Sequence, residues 1–134
     1  MNKENCIFCK IARGEMPSRK VYENKKVIAF LDVNPISKGH VLVIPKKHFK
    51  NIFDIDEAYL KEIMLVSKKI SQLLKNKLNA EGVNILHASG KEAQQSVFHF
   101  HIHIIPRYKG DKLDTWPKSN YKELNFEELA KKLK

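Results

Sequence analysis

The chain has 134 residues, enough for one domain with one sizeable core, and its 43% hydrophobic and 30% charged residues indicate a globular rather than a disordered protein. The net charge of +10 could suggest nucleic acid, but only three of the 25 basic residues are arginine, the residue that base and phosphate readers favour. The charge therefore favours a lysine-rich solvated surface that steers anionic small molecules, and nucleic acid is not favoured as a partner.

No apolar run approaches the ~20 residues of a membrane span, and residues 1–5 lack the apolar core of a signal peptide. Two cysteines three positions apart fit a reducing compartment, because a disulfide-stapled secreted domain uses more and wider-spaced cysteines. We therefore expect a cytoplasmic protein without a membrane partner.

A short helix is predicted over residues 6–13, where the apolar side chains share one helical face and Gly14 can end the helix. It carries the pair Cys6 and Cys9. This Cys-x-x-Cys allows three interpretations: inert packing cysteines, a redox pair, or half of a zinc site.

Three strands are predicted in the first half of the chain, over residues 21–22, 27–32 and 40–45. The second ends at Asp32, which on composition alone is a turn or cap residue. The third begins at His40, and a lone histidine at a strand start is usually structural.

One long amphipathic helix is predicted to begin near Asp54 or Asp56, either of which can cap it, and to run to about residue 79. Its apolar stripe is either core or a dimer contact. A third long strand follows over residues 83–87, and then a polar loop over residues 88–95.

Apolar residues and histidines alternate in the stretch from residue 96 to residue 107, which contains His99, His101 and His103. This period predicts a β-strand with imidazoles on one face and apolar side chains on the other. Alternate residues lie roughly 6.6 Å apart on a strand, so the three rings do not meet at one small ion. A metal site formed by a His-x-His pair and ligands from elsewhere in the chain stays possible. Incidental structural histidines are the alternative.

The sequence His99-Phe100-His101-Ile102-His103-Ile104-Ile105 resembles the signature of the histidine triad (HIT) family, and the likeness includes Asp32, residues 39–48 and Gln95-Ser96. The resemblance implies an α+β fold: an antiparallel sheet of about five strands with one long and one or two short helices, usually in a homodimer. We expect a single HIT domain over residues 1–134, with residues 107–134 as a C-terminal extension.

The resemblance also implies the chemistry, which is nucleotidyl transfer through a covalent histidine intermediate without a metal. By position His101 is the nucleophile, His99 and His103 flank the phosphate, His40 orders the triad, and Ser96 protonates the leaving group. The related nucleotidyltransferase branch carries Gln at the position of His103, so hydrolysis is favoured, as in the Hint-like purine nucleoside phosphoramidases.

Nucleotide-binding positions follow from the same resemblance. Asp32 is expected to bind the ribose hydroxyls, and Gln95 and Ser96 the phosphate. The family's phosphate-contacting Asn or Gln is replaced here by Ala88, for which Ser89 or Asn84 can substitute. The base is expected to contact Ile7, Phe8, Ile11, Phe30 and Val33.

A structural zinc site is implied by some bacterial relatives, in which the cysteine pair and two histidines are ligands. Here these positions are Cys6, Cys9, His48 and His99. In dimeric members a C-terminal aromatic reaches the partner's site, so Trp116 is a candidate specificity residue, although packing on its own subunit is favoured.

Three functions therefore stay open. The first is cleavage of purine nucleoside 5′-phosphoramidates to release AMP or GMP, and the second is hydrolysis of dinucleoside polyphosphates. The third, from another class, is a zinc- or nucleotide-binding interaction protein with little turnover.

Overall fold

The computed structural model describes residues 3–134; the first two residues of the expected domain lie outside the described part. The elements of the described residues, in chain order, are α1 (Ile7–Ala12), β1 (Lys20–Glu23), β2 (Val27–Leu31), β3 (Val41–Pro45), α2 (Glu57–Leu78), β4 (Gly82–Leu86), a 3₁₀ turn (Lys91–Ala93), β5 (Ile102–Arg107) and α3 (Phe126–Leu133). These five strands form one sheet in the order β1-β2-β3-β5-β4, and every neighbouring pair is antiparallel. The predicted α+β architecture is confirmed.

The helix α2 covers one face of the sheet. Strand alternation places the side chains of Val41, Val43, Ile102 and Ile104 on this face, where they are buried with the apolar stripe of the helix. The stripe predicted on α2 is therefore core. The helix begins after Asp56, whose side chain makes no capping hydrogen bond, and ends at Asn79 in the left-handed conformation.

The helix α1 covers the opposite face with a smaller apolar cluster. Phe8 and Ile11 of α1 pack there with the alternate residues of the two central strands. The strand residues in this cluster are Ile28, Phe30, Leu42 and Ile44. All the described histidine–cysteine contacts lie on this face, so the two sides of the sheet have different chemistry.

The triad stretch differs from its predicted form. The strand β5 begins only at Ile102, and residues 97–99 are bends, so His103 alone of the three histidines lies in the strand. The physical reason is a bond to another segment, because the Phe100 N–H donates to the Phe49 carbonyl at 2.7 Å instead of joining the sheet ladder. The alternation of faces nevertheless holds: Phe100 and Ile102 pack on the α2 side.

The C-terminal extension contacts the rest of the chain near its start, through Arg107, Tyr108 and Thr115, whereas residues 116–134 are exposed. Arg107 binds the Asp111 carboxylate through two nitrogens, which fixes the start of the extension. Trp116 is 79% exposed, so the expectation that it packs on its own subunit is wrong. Among the described residues no helix combines the length and hydropathy needed to cross a membrane.

Candidate active site and metal cluster

A cavity of about 430 Å³ opens between α1 and the sheet face beneath it. The N-terminal helix supplies an apolar wall, and the chain after β2 supplies the polar rim that includes Asp32. Of the residues predicted from the sequence, those that line it are Ile7, Phe8, Ile11, Phe30, Asp32, Val33, Ser96, His101 and His103. Lining residues that the sequence did not indicate include Met16, Pro17, Ser18 and Val97. This volume, together with an apolar wall and a few polar groups at the rim, is typical of small-molecule binding sites.

His101 presents a fixed tautomer to this cavity. Its Nδ1 lies 2.7 Å from the His99 carbonyl oxygen, which can only accept, so Nδ1 carries the proton and Nε2 keeps its lone pair. The ring is 4% exposed and touches the edge of Phe8, with 5.2 Å between the ring centroids. Burial lowers the pKa of His101 below its usual value, so the ring is neutral at pH 7.

His40 and His103 form a second ordered pair beside His101. The Ile36 N–H donates to His40 Nδ1 at 3.1 Å, so the His40 proton is on Nε2, which donates to His103 Nδ1 at 2.9 Å. His103 therefore carries its proton on Nε2. Burial lowers the pKa of His103 to about 4 and lowers the pKa of His40, and Asp32, 3.5 Å from His40 Nε2, opposes both shifts.

Gly39 sets the position of His40. It has φ +98°, and a Cβ there would lie 2.7 Å from Leu78 Cδ1 and 3.1 Å from Leu74 Cδ2. The backbone conformation therefore favours glycine, and a larger residue would also push the Leu78 and Leu74 side chains of α2 aside.

His99 belongs to a separate cluster with the two cysteines. Its Nε2–H donates to the Pro45 carbonyl at 2.8 Å, and its Nδ1 lies 3.4 Å from Cys6 Sγ and 3.5 Å from Cys9 Sγ. The ring is fully buried and does not line the cavity. Neither ring nitrogen is available to a phosphate there, in contrast to the expectation that His99 flanks it.

The four residues Cys6, Cys9, His48 and His99 fit a zinc ion by the arrangement of their donor atoms. All four ligand atoms lie within 4.8 Å of one another, and His48 Nδ1 is 3.2 Å from Cys9 Sγ. A tetrahedral site with normal zinc bond lengths has S···N edges of about 3.6 Å, close to the distances here. Burial, together with Cys6, raises the pKa of the Cys9 thiol to about 11, so a cation is needed to hold it as a thiolate at neutral pH.

Two predicted phosphate-binding residues have other partners. Asn84 Oδ1 accepts from Arg107 at 2.8 Å and from the Thr115 hydroxyl, which places its side chain against the C-terminal extension. Gln95 donates to the Lys50 and Val97 carbonyls and accepts from the Gly90 N–H. Neither side chain lines the cavity. These placements do not support the expected roles of Asn84 and Gln95 at the phosphate.

His87 is a residue near the site that sequence reasoning missed. Its Nδ1 lies 2.8 Å from the His101 carbonyl oxygen, and its ring stacks on Phe100 with 4.3 Å between centroids. The Ser89 hydroxyl binds its Nε2 and also accepts from the Ile52 N–H at 2.9 Å. Ser89 is therefore also occupied within the chain rather than lining the cavity. No local pattern at residue 87 distinguishes it from an ordinary strand-end histidine.

Comparison with known proteins identifies the family. The family model described as "HIT domain" matches residues 13–110, most of the chain. The chain belongs to the HIT family.

Relatives within the HIT family agree with this placement. Protein hit of Bacillus subtilis is 49% identical over 109 residues, covering 81% of this chain and 75% of that protein. Adenosine 5′-monophosphoramidase HNT1 of Candida albicans is 45% identical over 107 residues, covering 77% of this chain and 70% of that protein. A crystal structure of a zinc-bound histidine triad family protein from Mycobacterium smegmatis is 35% identical, with a TM-score of 0.81 over 89% of this chain and 86% of that one.

Proposed function

We propose that this protein hydrolyses purine nucleoside 5′-phosphoramidates through a covalent nucleotidyl-histidine intermediate and releases a nucleoside monophosphate, AMP or GMP. The observation that carries the proposal is the state of His101. Its ring faces the cavity, it is neutral because it is buried, and its Nδ1 proton is bound by a backbone carbonyl, which leaves Nε2 as a nucleophile.

The cavity wall suits a nucleoside. Ile7, Phe8 and Phe30 offer apolar surface to a flat purine ring. Asp32 lies at the polar rim, and a carboxylate offers only acceptors, as two ribose hydroxyls require. One Asp32 oxygen accepts from the Asn34 N–H at 2.8 Å, which fixes the direction of the carboxylate.

The reaction follows from the tautomers. His101 Nε2 attacks the α-phosphorus, the phosphorus–nitrogen bond to the leaving amine breaks, and the amine takes a proton from the Ser96 hydroxyl. The His103 Nε2–H stabilises the charge on the phosphoryl oxygens. Water then attacks the phosphorus, the bond to His101 breaks, and one water proton returns to Ser96, which regenerates the neutral ring.

One observation favours the phosphoramidase branch, and another favours hydrolysis over nucleotidyl transfer. The Candida albicans relative is named an adenosine 5′-monophosphoramidase. The third triad position is His103, whereas the nucleotidyltransferases that resemble this family have Gln there.

We propose that a bound zinc ion has a structural role and takes no part in the reaction. The ion would be held by Cys6, Cys9, His48 and His99, and when bound it supplies charge that fixes the cysteine thiolates. Cys6 caps α1 and Cys9 lies on it, whereas His48 follows β3 and His99 precedes β5, so the site ties the apolar wall of the cavity to the sheet. The zinc-bound relative from Mycobacterium smegmatis supports this assignment.

The proposal also includes the oligomeric state and the cellular compartment. We propose a cytoplasmic homodimer, for which the exposed apolar side chains of Leu65 and Leu73 on α2 offer contact surface.

The test is turnover of adenosine 5′-phosphoramidate, with diadenosine tetraphosphate as the competing substrate. Wild type should prefer the phosphoramidate, and His101→Ala should lose about 10³-fold or more in kcat, because its nucleophile is gone. Mass spectrometry of quenched wild-type reactions should find the nucleotidyl adduct on His101.

AMP binding, measured by calorimetry, is the control and should persist in His101→Ala. Activity that survives the substitution would contradict the assigned nucleophile. Faster cleavage of diadenosine tetraphosphate would favour the dinucleoside polyphosphate hydrolase instead, and AMP binding without turnover in wild type would indicate an interaction protein.

A further inference from the structure

The main chain of His101 lies where the sheet ends. Pairing between β4 and β5 ends at Leu86 and His103, and pairing between β3 and β5 ends at Val43 and Ile102. His101 is the residue just before β5, and it is almost completely buried. A buried carbonyl at such a point needs a hydrogen-bond donor from outside the ladder.

The ring of His87 supplies that donor. His87 is the first residue after β4, and its Nδ1 lies 2.8 Å from the His101 carbonyl oxygen. Because a carbonyl can only accept, the proton of His87 is on Nδ1. The Ser89 hydroxyl complements this tautomer by binding Nε2, and its own oxygen accepts from the Ile52 N–H. The Ser89 hydroxyl therefore holds the His87 ring and is itself held by the Ile52 N–H.

We infer that His87 is a positioning residue for the proposed reaction, because it fixes the main chain of the nucleophile His101 through the His101 carbonyl. This inference rests on the proposed function. The nucleophile is then held at two points: His99 accepts from its ring, and His87 donates to its carbonyl.

The effect should fall on kcat rather than on substrate binding. His87 does not line the cavity, so it makes no contact through which it could bind the nucleotide directly. A ring that attacks phosphorus must approach it in line, and a misplacement of about 1 Å costs about 10²-fold in rate. Loosening the His101 main chain by part of that distance should cost roughly 10-fold.

The competing explanation is that His87 only packs on Phe100, and substitutions can separate the two roles. His87→Phe keeps an aromatic ring on Phe100 and removes the donor. His87→Asn removes the ring but keeps an N–H group attached at Cγ, as Nδ1 is in histidine. His87→Gln carries its amide one bond further out, at the position of Nε2, and serves as the matched polar control.

The experiment measures kcat and KM for adenosine 5′-phosphoramidate in the four proteins, with the calorimetric affinity for AMP as a second measure of binding. We expect His87→Phe and His87→Gln to lose about 10-fold in kcat, with KM and AMP affinity within about twofold of wild type, and His87→Asn to recover most of the loss. A kcat of His87→Phe close to wild type would overturn the inference. So would an equal loss in His87→Asn, or a loss confined to KM.

A spectroscopic readout keeps this inference separate from the proposed function. The ¹³C shift of the His101 carbonyl reports its hydrogen bond without turnover. It should move in His87→Phe and His87→Gln and stay near the wild-type value in His87→Asn. If wild type does not cleave the phosphoramidate, the proposed function fails, and this shift pattern alone decides whether His87 holds the His101 carbonyl.

Discussion

Two clusters of potential metal ligands flank His101 on the same face of the sheet. One consists of Cys6, Cys9, His48 and His99, and the other of Asp32, His40 and His103. In each the ligand atoms lie within 4.8 Å of one another. By residue type and distance, both are candidates for a metal ion.

The backbone partners of the histidines distinguish the two clusters. His99 gives its proton to the Pro45 carbonyl, so a lone pair faces the sulfur atoms. His40 accepts from the Ile36 N–H, so the nitrogen that faces His103 carries a proton and has no lone pair for a metal. A carbonyl or an N–H group behind an imidazole therefore decides whether the ring can bind a metal or donates a proton.

The largest expected effect is loss of metal from the cysteine cluster. Cys9→Ala removes one of the four ligands, so purified protein should fall from about one zinc per chain to less than about a tenth, measured by mass spectrometry of metals. The melting temperature should fall by about 5 °C or more, because α1 loses its tie to His48 and His99.

The matched control is His40→Ala in the other cluster. It should leave the zinc content unchanged, and wild type should saturate at one equivalent. A second equivalent bound by wild type, or zinc lost from His40→Ala, would show that the His40 cluster also serves a metal and would remove the distinction.

The features that could be predicted from the sequence are local. Alternation along residues 96–107 correctly separated the imidazole face from the apolar face, because successive side chains of an extended segment point to opposite sides whether or not a ladder forms. The start of β5 was not predicted from the sequence, because it depends on a distant residue. The Phe100 N–H donates to the carbonyl of Phe49, which lies far away in the chain.

In the candidate site, too, the features set by neighbouring residues were predictable, and those set by residues far away in the chain were not. Helical spacing predicted that Ile7, Phe8 and Ile11 share a face of α1, and all three line the cavity. Their contact with a base stays a prediction from the family resemblance. The phosphate loop could not be foreseen. Asn84 is held by Arg107 and Gln95 by the Lys50 carbonyl, and both partners lie at least 20 residues away in the chain. Long-range hydrogen bonds of this kind leave no periodic signal.

The next largest effect concerns the proton that His40 donates. His40→Ala should lower kcat for the phosphoramidate by about 10-fold, because His103 Nδ1 loses its donor and the ring no longer has its Nε2–H tautomer fixed. His40→Gln carries an amide N–H in the place of Nε2 and should recover part of the loss. Equal rates in the two variants, at unchanged zinc content, would contradict the proton-donor role of the cluster.

The smallest expected effect is the contribution of His103 to stability below neutral pH. Burial lowers the pKa of His103 to about 4, whereas an unfolded chain titrates near 6.5. The unfolded state therefore binds the proton first, and the stabilising contribution is complete above pH 6.5 and is lost as the pH falls toward 4. From pH 6.5 to 5.5 this single ring should lower the free energy of unfolding by about 1 kcal/mol.

Urea denaturation of wild type and His103→Gln at both pH values isolates that contribution. Both proteins keep the cysteine cluster, so any acid loss of metal cancels in the difference between them. The wild-type free energy of unfolding should fall more steeply than that of His103→Gln by about 1 kcal/mol. Equal slopes would mean that His103 is not held neutral by burial, and its N–H donor would then belong to a cationic rather than a neutral ring near pH 6.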